Sequence, residues 1–222
     1  MRSFDEILEI SAARKGGRAA VLDRIQPPKT VGQLAAITDD RWLSAMTRGV
    51  FQAGFNWKVV ANMWPGFEAA FKQFDVGKCA MMDDVWFDAL ITDRSIVRHG
   101  TKIRSVIDNA VFVGETSRAH GGFGAFVGGW PGDDFIGLLA VLKSDGARLG
   151  GATGQYFLRS MGRDGFILSR DVVARLVAEG VVDKTPTSKG AMRATQDAFN
   201  VWADQSGLSM TTISRVLAMS TG

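Results

Sequence analysis

Along this chain apolar residues recur at intervals of three and four far more often than they alternate with polar ones, a periodicity that predicts helices rather than strands. Ser3 followed by Glu6 fits a reciprocal cap at a helix start, and Ile7, Leu8 and Ile10 give the next turns an apolar face. Gly16-Gly17 stops that helix. A short one over residues 18–25 ends before Pro27-Pro28, and another covers 30–37. Thr38, Asp39 and Asp40 then open a longer helix with Trp42, Met46 and Val50 at four-residue spacing, closed by Gly54 or Asn56. Helical patterns continue over 57–63, 66–74, 83–93, 101–113, 133–143, 153–163, 170–179, 189–205 and 210–219. The expected class is all-α, built from ten or more short helices joined by Gly, Pro, Asp or Ser.

Composition fills in this picture. A chain of 222 residues makes one large domain or two small lobes. With 46% apolar and 22% charged residues, fibrous and disordered classes are excluded. Glycine is enriched, at 26 residues, and one run stands out. Residues 121–132, Gly-Gly-Phe-Gly-Ala-Phe-Val-Gly-Gly-Trp-Pro-Gly, follow no strand and lack the Gly-Lys-Ser/Thr ending of a phosphate loop, so they read as a flexible connection between two helical lobes. A net charge of +3 argues against a wholesale electrostatic nucleic-acid binder while leaving room for local basic faces. The single cysteine, Cys79, rules out an internal disulfide or a multi-cysteine metal site and fits a reducing compartment. Acids follow directly on Met1-Arg2-Ser3-Phe4, and no long uncharged apolar run occurs, so a cytoplasmic protein without a membrane span is expected.

Two stretches carry candidate chemistry. Residues Arg163-Asp164-Gly165-Phe166-Ile167-Leu168-Ser169-Arg170-Asp171-Val172-Val173 fit either an ordinary joint between helices or a helix-hairpin-helix element. In the second case Gly165, Ser169 and Arg170 would meet a DNA phosphate through backbone amides and a helix N-terminus. Arg159, Arg163 and Arg175 lie nearby. The other stretch comprises three blocks: Phe51-Gln52-Ala53-Gly54-Phe55-Asn56-Trp57, then Phe71-Lys72-Gln73-Phe74-Asp75, then Ile96-Val97-Arg98-His99-Gly100-Thr101-Lys102-Ile103 running on to Asn109-Ala110. In these blocks and their spacing the chain resembles the DNA-3-methyladenine glycosylase I family, whose pattern reads Gln-Ala-Gly-Leu-Ser-Trp, Phe-Asp, and Ile-Ile-Arg-His-x-x-Lys-Ile-x-x-Ile-x-x-Asn-Ala. The resemblance is clear over about residues 40–126, weaker over 155–183 and absent at both ends.

The resemblance implies a two-lobed helix-hairpin-helix DNA glycosylase fold, a single glycosylase-like domain over 1–222. Its central lobe would span about 38–120, and a hairpin lobe over about 133–222 would pack with the N-terminal helices. It also implies a monofunctional enzyme that flips an alkylated purine such as 3-methyladenine out of double-stranded DNA and hydrolyses its N-glycosidic bond. No cofactor is required, and a monomer is expected. Trp57 matches the tryptophan that stacks on the flipped base, with Trp42, Gly49, Phe51 and Gln52 completing the pocket. As residues alone, Trp57 reads as a base-stacking face or as a core tryptophan, and Gln52 either reads a base edge or braces the backbone. Arg98 and Lys102, with Arg104, make phosphate contacts or a solvated basic face. His99 is a proton carrier or a helix cap. Asp183 is the nearest match to the superfamily's catalytic aspartate, or a solvated helix-end acid.

Two departures matter. The family's base-contacting glutamate is replaced here by Gly49, which motivates two alternatives: a lesion-binding module of this fold without catalysis, or a glycosylase for a different modified base. The family's zinc, held by two cysteines and two histidines from the chain ends, has no counterpart among Cys79, His99 and His120. No metal site is expected, and the N-terminal residues should tether the fold by packing instead.

Overall fold

The computed structural model of the chain describes residues 1–221, which among them contain fifteen α-helices and no strand. They are α1 (Phe4–Lys15), α2 (Arg18–Leu22), α3 (Val31–Ala35), α4 (Asp39–Gln52), α5 (Trp57–Asn62), α6 (Trp64–Ala70), α7 (Val76–Ala80) and α8 (Asp84–Thr92). After these come α9 (Gly100–His120), α10 (Phe123–Gly129), α11 (Phe135–Ser144), α12 (Ala152–Met161), α13 (Arg170–Ala178), α14 (Lys189–Ser206) and α15 (Met210–Met219). The expected helices are present, with α7 and α10 in addition. The Ser3/Glu6 cap forms in both directions, and Gly16 closes α1 in the left-handed conformation. No described helix is long and apolar enough to cross a membrane.

Two compact units divide the chain: Met1–Lys29, Pro131–Gly137 and the described residues from Gly162 onward form one, Thr30–Trp130 and Leu138–Met161 the other. The second unit thus takes in residues 138–161, which the sequence reading placed in the hairpin lobe. In the first unit α15 packs against α1, α2, α13 and α14. The N-terminus is tied down there by polar contacts as well as by packing. Arg2 donates to Glu179 from both its backbone amide (2.8 Å) and its guanidinium (2.9 Å), Trp202 donates its indole N–H to the Arg2 carbonyl (3.1 Å), and Phe4 donates its amide to Gln205 (2.9 Å). Arg175, itself buried, completes the cluster by donating to Glu179 and to both the hydroxyl and the carbonyl of Ser220.

In the second unit the 21-residue α9 is the central element, packed by α4, α7, α8 and α10. Trp42, Met46 and Val50 are buried at their four-residue spacing on α4. A ladder of near-parallel rings, Trp64, Phe67, Phe71 and Phe74, fills the space beneath, with successive centroids 4.9–6.2 Å apart. The helix expected over 66–74 ends early because Lys72, Gln73 and Phe74 all have positive φ, near +53 to +60°. Such residues cost about 1–2 kcal/mol each. They are held by Phe74 in the ladder and by Arg41, which donates to the Gln73 carbonyl while pairing with Glu68 through both terminal nitrogens. The glycine-rich run 121–132 is not simply a connection. Residues 123–129 form α10, whose Gly124 and Gly128 lie against the α3 backbone: a Cβ at Gly124 would come within 2.2 Å of the Leu34 carbonyl oxygen. The glycines serve close helix packing.

Glu179 gives the first unit a measurable acid sensitivity. Burial pushes its carboxyl up, but the Arg2 amide and guanidinium and the Arg175 guanidinium outweigh this and hold it below the ordinary carboxylate value. Its contribution to stability is therefore present above the unfolded value of about 4.3 and is lost as the pH falls through the depressed folded one. Urea midpoints measured from about pH 7 to pH 3 should show the advantage of wild type over Glu179→Gln shrinking toward the acid end. At neutral pH Glu179→Ala, which strands Arg175, should cost roughly 3–5 kcal/mol.

Candidate functional site

The expected base-pocket residues all lie in the second unit, but they divide into core and surface. Trp42 and Phe51 are both 0% exposed. Trp42 is wedged between Phe123 and Phe157, and Phe51 meets Phe67 edge-on, so neither presents a face to a ligand. They support the site from beneath, which corrects the expectation that they line it. Gly49 sits on α4 where α12 crosses: a Cβ there would touch Phe157 Cβ at 3.6 Å and Thr153 Cγ2 at 3.7 Å. A methyl fits, whereas a longer side chain must thread past both. Gln52, half-buried, is the last residue of α4.

Trp57 is at the surface. It opens α5 behind the cap formed by Asn56, whose side-chain oxygen accepts from the Lys58 amide at 2.9 Å, and its side chain is 53% exposed. An indole left so open forgoes apolar burial, and it is the most open of this unit's exposed aromatics, ahead of Tyr156 and Phe55. Its one ring neighbour is Tyr156 of α12, 5.6 Å away and perpendicular.

The turn that delivers Trp57, residues 53–56, hangs from one side chain. Lys102 of α9, expected at a phosphate, is only 6% exposed and donates its ammonium to the carbonyls of Val50 (2.8 Å) and Ala53 (2.5 Å). Those carbonyls belong to the end of α4, where a helix leaves acceptors without intrahelical partners and favours a cation. The ammonium also lies 4.6 Å from the centre of the Phe55 ring. Burial, with the Arg148 charge adding to it, holds Lys102 below the ordinary lysine range. The phosphate reading of Lys102 is corrected accordingly: the ammonium is buried and two of its three donors are taken by the protein's own backbone. Arg98 is exposed just ahead of α9, Arg104 lies over the Phe87 ring at 4.5 Å, and His99 shares a hydrogen bond with the Thr101 hydroxyl at 3.1 Å.

Gly165, Ser169, Arg170 and Asp183 belong to the first unit. Ser169 caps α13, accepting from the Val172 amide, and Arg170 and Asp183 are exposed. Gly165 is buried. Its amide donates to the Thr211 hydroxyl at 3.4 Å, and a Cβ there would come within 2.4 Å of the Phe135 ring, so this amide faces the protein and not a phosphate. Residues 162–169 form a connection between α12 and α13.

The tight hairpin lies earlier, at residues 145–151 between α11 and α12. A Cβ on Gly146 would clash with the Leu142 carbonyl at 2.7 Å, and one on Gly154 with the Leu149 carbonyl at 2.4 Å; Arg148 and Gly151 both have positive φ. Buried Asn109 of α9 grips the turn through both amide groups, accepting from the Ala147 N–H (2.8 Å) and donating to the Ala147 carbonyl (3.1 Å). The signal was present in Asp145-Gly146 and Gly150-Gly151 between two apolar-periodic segments, but the sequence reading did not weigh it. Among the described residues no cluster of three or more His, Cys, Asp or Glu is placed to hold a metal. Cys79 is buried and its thiol is pushed up to about 12, chiefly by burial, so it carries no nucleophilic chemistry. An open depression of ≈ 750 Å³ bordered by Lys72, Lys78, Met81 and Trp86 contains none of the expected base-site residues.

Lys102→Met tests the corrected placement. Stranding two carbonyls should lower stability by roughly 1–3 kcal/mol in urea unfolding. The salt dependence of binding to a DNA duplex, followed by fluorescence anisotropy, should stay unchanged, since a buried ammonium neutralises no phosphate.

The comparisons with known proteins find DNA glycosylases. The family model for methyladenine glycosylase matches residues 34–135. The DNA-3-methyladenine glycosylase 1 of Escherichia coli is 39% identical over 59 residues and that of Haemophilus influenzae 34% over 59 residues, in each case 27% of this chain and 32% of the relative. The chain thus spans about a third of the length of these curated relatives. Among solved structures, the 3-methyladenine DNA glycosylase I of Staphylococcus aureus superposes with a TM-score of 0.52 at 22% identity, covering 70% of this chain and 91% of that one. The 8-oxoguanine glycosylase/lyase of Methanocaldococcus jannaschii, solved with DNA, gives 0.54 at 11% identity, covering 96% and 95%. The fold is that of these helical DNA glycosylases, and residues 34–135 are similar to the methyladenine glycosylase family.

Proposed function

We propose that this protein is a monofunctional DNA glycosylase that hydrolyses the N-glycosidic bond of an alkylated purine such as 3-methyladenine. Its partner would be duplex DNA, which it would act on as a cytoplasmic monomer. The observation that carries this reading is the exposed indole of Trp57, fixed by the Lys102 clamp within the segment matched to the family. A purine alkylated on a ring nitrogen is a cation, and the face of an indole attracts it beyond a neutral base by about 0.5–2 kcal/mol. Stacking also stands in for the neighbours the base loses when it leaves the duplex.

The same charge makes the base a ready leaving group, because departure neutralises it. The protein must chiefly position the nucleotide and stabilise the oxocarbenium-like sugar. Asp183 remains the candidate acid for the sugar, with Gln52 bracing the turn that carries Trp57. The backbone grip is assigned to the α11–α12 hairpin, where the amides of residues 150–152 lie at the start of a ten-residue helix, supplemented by exposed Arg98, Arg148 and Arg170 and by half-buried Ser169. Neither residues 145–151 nor 163–169 contain a lysine, so the reading stops at hydrolysis without a Schiff-base step.

Gly49, which supplies no carboxylate for the base, favours a second reading: a module that binds the lesion without releasing it.

Release of 3-methyladenine from alkylated duplex, measured by chromatography, distinguishes the two. Wild type should turn over, and Trp57→Ala should lose roughly 5- to 100-fold, the equivalent of about 1–3 kcal/mol of stacking, with little change in melting temperature because the ring is exposed. Tight, salt-sensitive binding with no base released over long incubation would favour the binding module. Equal activity in both proteins would remove Trp57 from the mechanism.

A further inference from the structure

A second exposed ring stands beside the indole of Trp57. Tyr156, the only tyrosine of the chain, lies one turn after Thr153 on α12 and directly before Phe157, the two residues a side chain at Gly49 would meet. Its ring centroid is 5.6 Å from that of Trp57, with the planes at 89°. The two residues are 40% and 53% exposed, so each contributes open ring surface to solvent. Two flat walls meeting at a right angle make a corner into which a planar molecule can be set.

We infer that Tyr156 is a specificity-determining residue, its ring selecting positively charged N-alkylated purines over neutral ones. The inference rests on the base-stacking reading of Trp57. A flat base stacked on Trp57 inside the corner is perpendicular to Tyr156 and turns its edge to the phenol ring. The face of an aromatic ring is its negative pole. The edge of an N-alkylated purine bears the excess positive charge on its N-methyl and amino hydrogens, whereas a neutral purine presents ring-nitrogen lone pairs there as well. One ring thus attracts the cation through its face and the other through its edge, and charge is read without a carboxylate at position 49. Because the ring and not the hydroxyl does this, phenylalanine should substitute for tyrosine and an aliphatic residue should not.

Isothermal calorimetry with two small ligands tests the corner apart from any base release. One is 3,9-dimethyladeninium, whose positive charge is fixed by its two N-methyl groups; the other is 9-methyladenine, a neutral base of nearly the same shape. Wild type should bind the cation about tenfold tighter than the neutral base, Tyr156→Phe should keep that ratio, and Tyr156→Leu should bring it to about threefold or less at an unchanged melting temperature. A wild-type ratio near one, or a Tyr156→Leu ratio equal to that of wild type, would overturn the inference. Release of 3-methyladenine by a wild-type protein that shows no preference would sink the corner and leave the glycosylase standing. A clear preference without release would do the opposite.

Discussion

The end of α4 depends on one buried ammonium. A helix that stops abruptly leaves carbonyls pointing at its own exit, and in this chain the exit must turn within four residues into α5, too short a span for the backbone to satisfy itself. Lys102 resolves this by reaching from α9 to the carbonyls of Val50 and Ala53. Desolvating an ammonium is costly, and two backbone acceptors, the negative end of α4 and the faces of Phe51 and Phe55 together offset it. The position of Trp57 is a consequence. α5 begins at the residue after the Asn56 cap, the cap follows the turn, and the turn is fixed to α9.

The same helix positions a second element by the same means. Seven residues after Lys102, Asn109 holds the α11–α12 turn by both backbone hydrogen-bonding groups of one residue, Ala147. Two side chains at i and i+7 lie on one face of α9, two turns apart. That face thus fixes the exposed ring on one side and the hairpin on the other. Site geometry is therefore stored in side-chain-to-backbone hydrogen bonds within one rigid unit. In the other unit a comparable economy ties the chain ends together, with Glu179 collecting Arg2 and Arg175 where the family resemblance would have led one to look for a zinc.

Much of the fold was legible because it is local. Caps such as Ser3 and Ser169 and the spacing of Trp42, Met46 and Val50 each name their element without reference to the rest of the chain. The misreadings came where distant residues decide. Three successive positive φ values at Lys72–Phe74 follow from an aromatic ladder and from Arg41, more than thirty residues upstream. Gly124 and Gly128 look like linker residues until α3 is laid across them. Lys102 and Trp57 sit in the same family blocks and are both amphipathic, yet one is interior and the other surface, a distinction made only by the carbonyls waiting at the end of α4. Gly165 in Arg-Asp-Gly was the more conspicuous turn signal, but its Cα lies against Phe135, and the hairpin instead uses Gly146 and Gly154, where helix backbones approach too closely for any side chain.

Gly49 links the loss of one group to the gain of another. An acid at that position would need room for a side chain between α4 and α12, and solvent or a partner for its charge. Without it the helices close to van der Waals distance, with Phe157 Cβ and Thr153 Cγ2 within 3.7 Å of where the Cβ of residue 49 would be, and Phe157 packs edge-on against Trp42. Residues three apart on a helix are neighbours, so the helix that seats Thr153 against Gly49 also carries Tyr156, one turn on, beside Trp57. The position without a carboxylate and the perpendicular pair of rings thus lie at the two ends of one helix contact. A carboxylate attracts a cation with an energy that water and salt weaken, whereas two ring faces exclude water as they attract. The proposed corner would trade the directional hydrogen bonds of an acid for a charge preference that depends on ring orientation. That orientation is set by the contact between α4 and α12 and by the ammonium at the end of α4.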